Sequence, residues 1–224
     1  MYLAIDIGGT KTLLASFTSD GKLKRSVKFK TPVLYDDFRD KLAINVEKLS
    51  TKKFTRCAVA IAGKVDRKQG VGVAFGSLTW TNVPIGADVK NIVGCEVLIE
   101  NDCNVAGLYE AKHVSDKYKR VMYVTISTGI GGAIIQNGHI EKTTQDSEIG
   151  HMLFEHDGKL QRWEDFASGG AIVKKYDKLA SEIDPKDSGK WYTIARWHRY
   201  WADRCHCYPY AGSYYFWRWR RGAL

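Results

Sequence analysis

Several short stretches carry residue types that can do chemistry at close spacing. In "DIGGTKT" (6–12), Gly8 and Gly9 permit a tight turn whose backbone N–H groups can approach an anion. Thr10 and Lys11 add a hydroxyl and a cation. This is a phosphate cradle in kind, but not a P-loop, which runs through GxxxxGK into a helix; the residues that follow here are strand-like. "STGIGG" (127–132) offers a second glycine turn with Thr128, Gly129, Gly131 and Gly132. Two such turns at the heads of two domains could hold one polyphosphate from both sides.

Acidic and imidazole groups lie elsewhere. In "IENDCNVAGL" (99–108), Asn101 and Asp102 fall where a strand ends and a helix begins. Asp102 there reads either as a helix N-cap or as a general base, with Asn101 exchanging hydrogen bonds with the hydroxyls of a polyol. "EIGHMLF" offers Glu148 and His151, three residues apart, and "RWEDFASGG" offers Glu164 ahead of a helix. Each stretch also has a plain structural reading as a turn, a cap or a satisfied histidine.

The elements that must position these groups follow from periodicity. Short apolar runs at 2–7 and 12–18 flank the first glycine turn, and 23–31 alternates, so three strands joined by tight turns are expected. "YDDFRDKLAINVEKLS" places Phe38, Leu42, Ile44, Val46 and Leu49 at mostly helical spacing. "RCAVAIAG" reads as a buried strand ending in glycine. The glycine-rich "GKVDRKQGVGVAFGSLTWTNVPIG" reads as a loop, "EVLIEN" as a strand and "DCNVAGLYEAKHV" as a helix. "RVMYVTIST" and "GIGGAIIQNG" then repeat strand, glycine turn, strand. This points to an α/β protein of two pseudo-repeated domains facing a cleft, residues 1–118 and 119–197, with 198–224 set apart by composition.

With 224 residues and 44% hydrophobic content, the chain can build a real core. No stretch approaches the roughly 20 apolar residues of a membrane span, and no basic leader with an apolar core precedes "YLAIDI", so a cytoplasmic protein is expected. Cys57, Cys95, Cys103, Cys205 and Cys207 form no CxxC pair and read as reduced thiols, the first three as ordinary buried cysteines. The net charge is +9, and four of those charges lie in 198–224. The rest reads as a solvated face or a mild attraction for phosphorylated ligands.

Taken in order, "DIGGTKT", "AGKVD", "LTWTNVPI", "IENDCNVAGL", "STGIGG", "EIGHM" and "EDFASG" resemble the sugar-kinase branch of the ROK family. That family lies within the actin-like ATPase and hexokinase superfamily, and the resemblance spans residues 2–197. It implies a two-domain, ribonuclease H-like α/β fold with an incomplete second domain, and ATP-dependent, Mg²⁺-assisted phosphorylation of a hexose or N-acyl hexosamine. By the same resemblance Asp6 would help hold magnesium, directly or through water. Gly8, Gly9, Thr10 and Lys11 would cradle phosphate, and Thr128 to Gly132 would form the second phosphate turn. Asp102 would take the proton from the attacking sugar hydroxyl. Gly63, Asn82, Asn101, Glu148, His151 and Glu164 would bind the sugar. A homodimer is a further family expectation; membrane and nucleic-acid partners are not. A sugar-responsive ROK transcriptional regulator is the alternative, which would need an N-terminal DNA-binding domain ahead of the motif at residue 6.

Two departures stand out. Many relatives follow "GH" with a cysteine cluster that binds structural zinc. Here "HMLFEHDGKLQRWEDF" contains no cysteine, so no zinc is expected, and Trp163 and Phe166 are expected to fill the space. The family would also continue after "WYTIAR" with a helix, Pro-Asp, a strand and a glycine loop. This chain ends instead in "AGSYYFWRWRRGAL". Shifted by one base, the single Trp codon must give Gly at 201, 217 and 219, and permitted codons let His198 to Gly222 read "IAIGLIAVIAILMPDLIIFGGGGGA". The tail is therefore expected to be an out-of-frame translation of the family's sequence, leaving activity impaired. The rival reading is a genuine aromatic and basic segment, with nine Tyr, Trp or Phe and five Arg in 27 residues, that stacks on single-stranded nucleic acid or sits on an anionic membrane.

Overall fold

The computed structural model describes residues 1–49, 53–205 and 213–219, with 200–205 and 213–219 described by their backbone. The chain divides into two compact units, Met1–Val105 and a second that begins at Ala106.

The first unit opens with the expected meander, β1 (Tyr2–Ile7), β2 (Lys11–Phe17) and β3 (Leu23–Lys30), each strand antiparallel to the next. Then come α1 (Tyr35–Glu47), β4 (Arg56–Ile61), β5 (Gly63–Asp66), β6 (Val71–Phe75), β7 (Thr81–Val83), α2 (Ile85–Val93), β8 (Glu96–Asn101) and the first turn of α3 (Asp102–Ala111), whose remainder is counted with the second unit. The main sheet runs β3-β2-β1-β4-β8, with β4 parallel to both β1 and β8.

Alternation sets its buried side. Leu3, Ile5 and Ile7 of β1 join Cys57, Val59 and Ile61 of β4, Phe38, Leu42 and Val46 of α1, and Ile85 and Val89 of α2 in one core. Each of these large side chains contributes about 1.5–3 kcal/mol by burial. Two details differ from the helical pattern. Ile44 is exposed, and Leu49 is buried but lies beyond the end of α1. Cys57 is buried and its thiol is pushed up to about 12 by that burial, while Cys95 and Cys103 are only half-buried.

The glycine-rich stretch after β4 is not a loop. It forms a three-stranded sheet, β5-β6-β7, followed by α2. Gly70, at φ 71°, makes the β5–β6 turn, but Gly63 and Gly72 serve close packing. A Cβ on Gly63 would lie 2.1 Å from the Ala74 carbonyl oxygen, and one on Gly72 would lie 2.5 Å from the Phe75 ring. Trp80 anchors this region, with its ring 4.7 Å from Phe38 and 5.1 Å from Phe75, and its indole N–H donates to the Val33 carbonyl at 2.7 Å.

The second unit contains β9 (Arg120–Ile126), β10 (Ile130–Gln136), β11 (His139–Ile140), a 3-10 turn at Ile149–His151, β12 (Leu153–His156), β13 (Lys159–Arg162), α4 (Trp163–Ala167), α5 (Gly169–Tyr176), a second 3-10 turn at Ala180–Glu182, α6 (Ser188–Cys205) and β14 (Ser213–Trp219). Its sheet runs β11-β10-β9-β14. Asn137-Gly138 and Asp157-Gly158, all at positive φ, make the β10–β11 and β12–β13 turns. Trp163, fully buried, packs with Phe154, Phe166, Ile172, Ile194 and Trp197, and its indole N–H donates to the Trp197 carbonyl at 3.2 Å.

The compositional break at residue 198 is not a structural one. Helix α6 runs through it to Cys205, and β14 pairs in parallel with β9 from Ser213 opposite Arg120 to Trp219 opposite Ile126. Main-chain pairing does not depend on side-chain identity, and aromatic residues favour strands, so this segment can occupy the β9 edge. The expected out-of-frame tail otherwise falls at 206–212 and 220–224, outside the described residues. No helix among the described residues is long and apolar enough to cross a membrane.

Candidate active site

Register brings the first group of residues together. Ile7, Ile61 and Asn101 stand level across β1, β4 and β8, and Asp6, Ala60 and Glu100 stand level one step earlier. The three parallel strands thus end together, at the sheet edge where α/β folds bind ligands. Gly63 follows β4 by two residues, and α3 starts directly from β8 with Asp102 as its first residue.

The capping question has a definite answer. Asn101, not Asp102, caps α3 in the usual way: its Oδ1 accepts the Asn104 N–H at 3.1 Å. Its Nδ2 donates to the Gly63 carbonyl at 3.0 Å. One amide hydrogen and one lone pair remain for a hydroxyl. Asp102 Oδ1 accepts its neighbour's N–H, from Cys103 at 2.9 Å. Burial, and after it the negative charge of Asp6, push the Asp102 carboxyl above the ordinary range, which makes it a stronger base once ionised.

The first phosphate turn joins β1 to β2, and a strand follows it, not a helix. The Gly8 N–H donates to the Lys11 carbonyl at 3.1 Å. Neither Gly8 nor Gly9 has positive φ, so the freedom of glycine is not what the turn uses. Gly9 is needed for space: a Cβ there would sit 1.7 Å from the Ser77 hydroxyl oxygen. Asn82, on β7, is exposed and has φ 52°, the left-handed region that asparagine tolerates.

Four residues of this region escape sequence reasoning. Thr31 closes the phosphate turn, and Ser77 packs against it. Glu100 takes a two-pronged grip from Arg67, with Nε to Oε2 at 2.7 Å and an Nη to Oε1 at 2.5 Å. Glu100, directly before Asn-Asp at the end of an apolar strand, carried a signal. Arg67, 33 residues away in sequence, carried none.

In the second unit the turn between β9 and β10 is confined to 127–129. Gly131 and Gly132, expected in the turn, pair instead with Thr125 and Val124 of β9 as part of β10, and two of the predicted sugar ligands gather beside the turn. His151 Nε2 lies 3.0 Å from Glu164 Oε1. Glu164 Oε2 accepts the Ile130 N–H at 3.4 Å, and a Cβ on either Gly129 or Gly150 would come within 2.9 Å of that same oxygen. A Cβ on Gly132 would meet Ile149 at 2.4 Å. The Glu148 side chain is exposed, and its carbonyl accepts the His151 N–H at 3.0 Å. The interval without cysteine, 151–166, forms the β12–β13 hairpin and the start of α4, where His156 stacks on Phe166 at 4.2 Å.

Comparison with known proteins identifies the family and the fold. The chain matches the sequence profile of the ROK family over residues 2–193. A glucokinase of Streptomyces coelicolor is 29% identical over 199 residues, covering 83% of this chain and 62% of that protein. An N-acetyl-D-glucosamine kinase of Histophilus somni is 32% identical over 171 residues, covering 73% of this chain and 56% of that one. The chain therefore spans less than two thirds of the length of these curated relatives. The crystal structure of a ROK family glucokinase from Streptomyces griseus, in complex with glucose and AMPPNP, superposes with a TM-score of 0.74 at 23% identity, covering 92% of this chain and 79% of that chain. The fold is that of the ROK kinases, of the actin-like ATPase type.

Proposed function

The chain belongs to the ROK family, and we propose that it is an ATP-dependent kinase acting on a hydroxyl of a hexose or N-acyl hexosamine, with Asp102 as general base. The observation that carries this reading is the setting of Asp102. It is a carboxylate at the start of α3, raised in pKa by burial and by Asp6, and next to a capping asparagine with hydrogen-bonding capacity to spare. A base of raised pKa matches proton abstraction from an alcohol better than an ordinary carboxylate does. The glucokinase and N-acetyl-D-glucosamine kinase among the relatives support the substrate class.

In the proposed reaction Asp102 accepts the proton of the sugar hydroxyl. The oxygen forms a bond to the γ-phosphorus as the bond from that phosphorus to the β–γ bridging oxygen breaks, leaving ADP. Such transfer depends chiefly on positioning and charge stabilisation. Asn101 and the carbonyl region of Gly63 orient the sugar, with Asn82, Glu148, His151 and Glu164 as further sugar ligands. The turns Gly8–Lys11 and Thr128–Gly132 bind phosphate through backbone N–H groups, helped by the Lys11 ammonium. Asp6 is an exposed carboxylate beside a second one, and Mg²⁺ held there with phosphate oxygens would offset the negative charge of both.

The test is Asp102→Asn. Sugar phosphorylation should fall by several orders of magnitude while sugar binding, followed by calorimetry, stays measurable. Turnover near the wild-type rate would remove Asp102 from the role.

A further inference from the structure

We infer that the β5–β6 hairpin is a clamp that positions the catalytic helix start, with Arg67 acting through Glu100. The inference rests on the kinase reading only for its catalytic consequence. Glu100 Oε1 accepts three hydrogen bonds, from an Arg67 Nη, from the Asn101 backbone N–H at 2.7 Å and from the Asn104 side-chain amide at 2.9 Å. Its other oxygen takes the Arg67 Nε. Asn104, 2% exposed, in turn has its backbone N–H capped by Asn101. Gly63, at the start of the same hairpin, accepts the Asn101 amide.

Two points of one hairpin, the Gly63 carbonyl and the Arg67 guanidinium, therefore hold one junction, the residues on either side of Asp102. A charged acceptor is required for this. A carboxylate that is only 19% exposed would turn toward water unless a cation held it in place, and the planar fork of arginine fixes both of its oxygens at once. With Glu100 fixed, the backbone N–H of Asn101 and the side chain of Asn104 are fixed, and Asp102 between them has its direction set. Arg67 and Glu100 are thus positioning residues: they reach the chemistry through Asn101 and α3.

The test compares Arg67→Met, Arg67→Lys, Glu100→Gln and the double variant Arg67→Met/Glu100→Gln. Amide hydrogen exchange at Asn101 and Asn104 is read together with kcat and KM for glucose and N-acetylglucosamine. Arg67→Met should lower exchange protection at those two amides and lower kcat by about 10- to 100-fold, with KM for ATP little changed. Arg67→Lys, which keeps the charge without the fork, should fall between. Neutralising the orphaned carboxylate in the double variant should restore part of kcat, which a general loss of folding would not allow. Unchanged protection with unchanged kcat in Arg67→Met overturns the clamp, and so does a double variant no better than Arg67→Met. If the unaltered chain phosphorylates neither sugar, the kinase reading fails, and the exchange comparison still decides the clamp.

Discussion

The Thr31 hydroxyl donates to the Gly8 carbonyl oxygen across 2.8 Å, while the Thr31 N–H donates to the Thr10 carbonyl at 3.0 Å, so one buried threonine ties both sides of the first phosphate turn. Since the Thr31 hydroxyl proton is committed to Gly8, the 2.9 Å contact with Thr12 must be donated by the Thr12 hydroxyl. Thr31→Val keeps the shape and deletes both side-chain bonds. It should destabilise the first unit by about 1–3 kcal/mol, the cost of leaving buried polar groups unpaired, and raise KM for ATP. Urea unfolding with Thr31→Ser as the control checks this, and serine should stay close to wild type. A loss in the serine variant with none in the valine variant would assign the role to the methyl group instead.

Gly9 faces the Ser77 hydroxyl so closely that even one methyl group has no room. Gly9→Ala is therefore expected to cost about 1–3 kcal/mol in displaced backbone, or roughly 10- to 100-fold in kcat/KM if the turn itself shifts. The contact is with a side chain, so it can be relieved. Gly9→Ala/Ser77→Gly removes the hydroxyl and the Ser77 Cβ at 3.0 Å, leaving the Ser77 Cα at an ordinary 3.8 Å. Steady-state kinetics on both variants should show recovery in the pair. No recovery would mean that the backbone conformation at residue 9, not the space, demands glycine.

These two contacts mark the limit of what the sequence discloses. The meander, the strand β4, the strand β8, the helix α3 and both glycine turns follow from apolar period and punctuation, which are local. The β5-β6-β7 sheet reads as a loop in sequence because glycine signals turns, whereas Gly63 and Gly72 are there to let neighbouring groups approach. The helix α2 did leave a signal, with Pro84 before it and Gly94 at φ 69° after it. So did the Asp157-Gly158 hairpin. Asp6, Asn101 and Asp102 were legible as types in motifs, but Thr31, Ser77 and Arg67 join the site only through contacts between residues far apart in sequence, and no local pattern encodes such contacts.

His198 gives the second unit a defined response to acid. It is 5% exposed, and its Nε2 lies 2.8 Å from the Ala167 carbonyl oxygen, which can only accept, so the neutral ring carries its proton on Nε2. Burial lowers its pKa to about 4, against 6.5 for the ordinary side chain, the bond to Ala167 opposing this only in part. Between those values the unfolded chain binds a proton that the folded chain does not. Stability is therefore fully present above pH 6.5, falls as pH drops through the window, and levels off below about 4. Between pH 7 and 4.5 the loss from this group should be about 2 kcal/mol. Urea unfolding followed by tryptophan fluorescence at the two pH values should show it. His198→Gln, whose side-chain amide can still donate to Ala167 but does not titrate, should abolish that part of the pH dependence. If the variant keeps the full wild-type pH dependence, the acid sensitivity arises from other groups and the imidazole of His198 protonates without penalty.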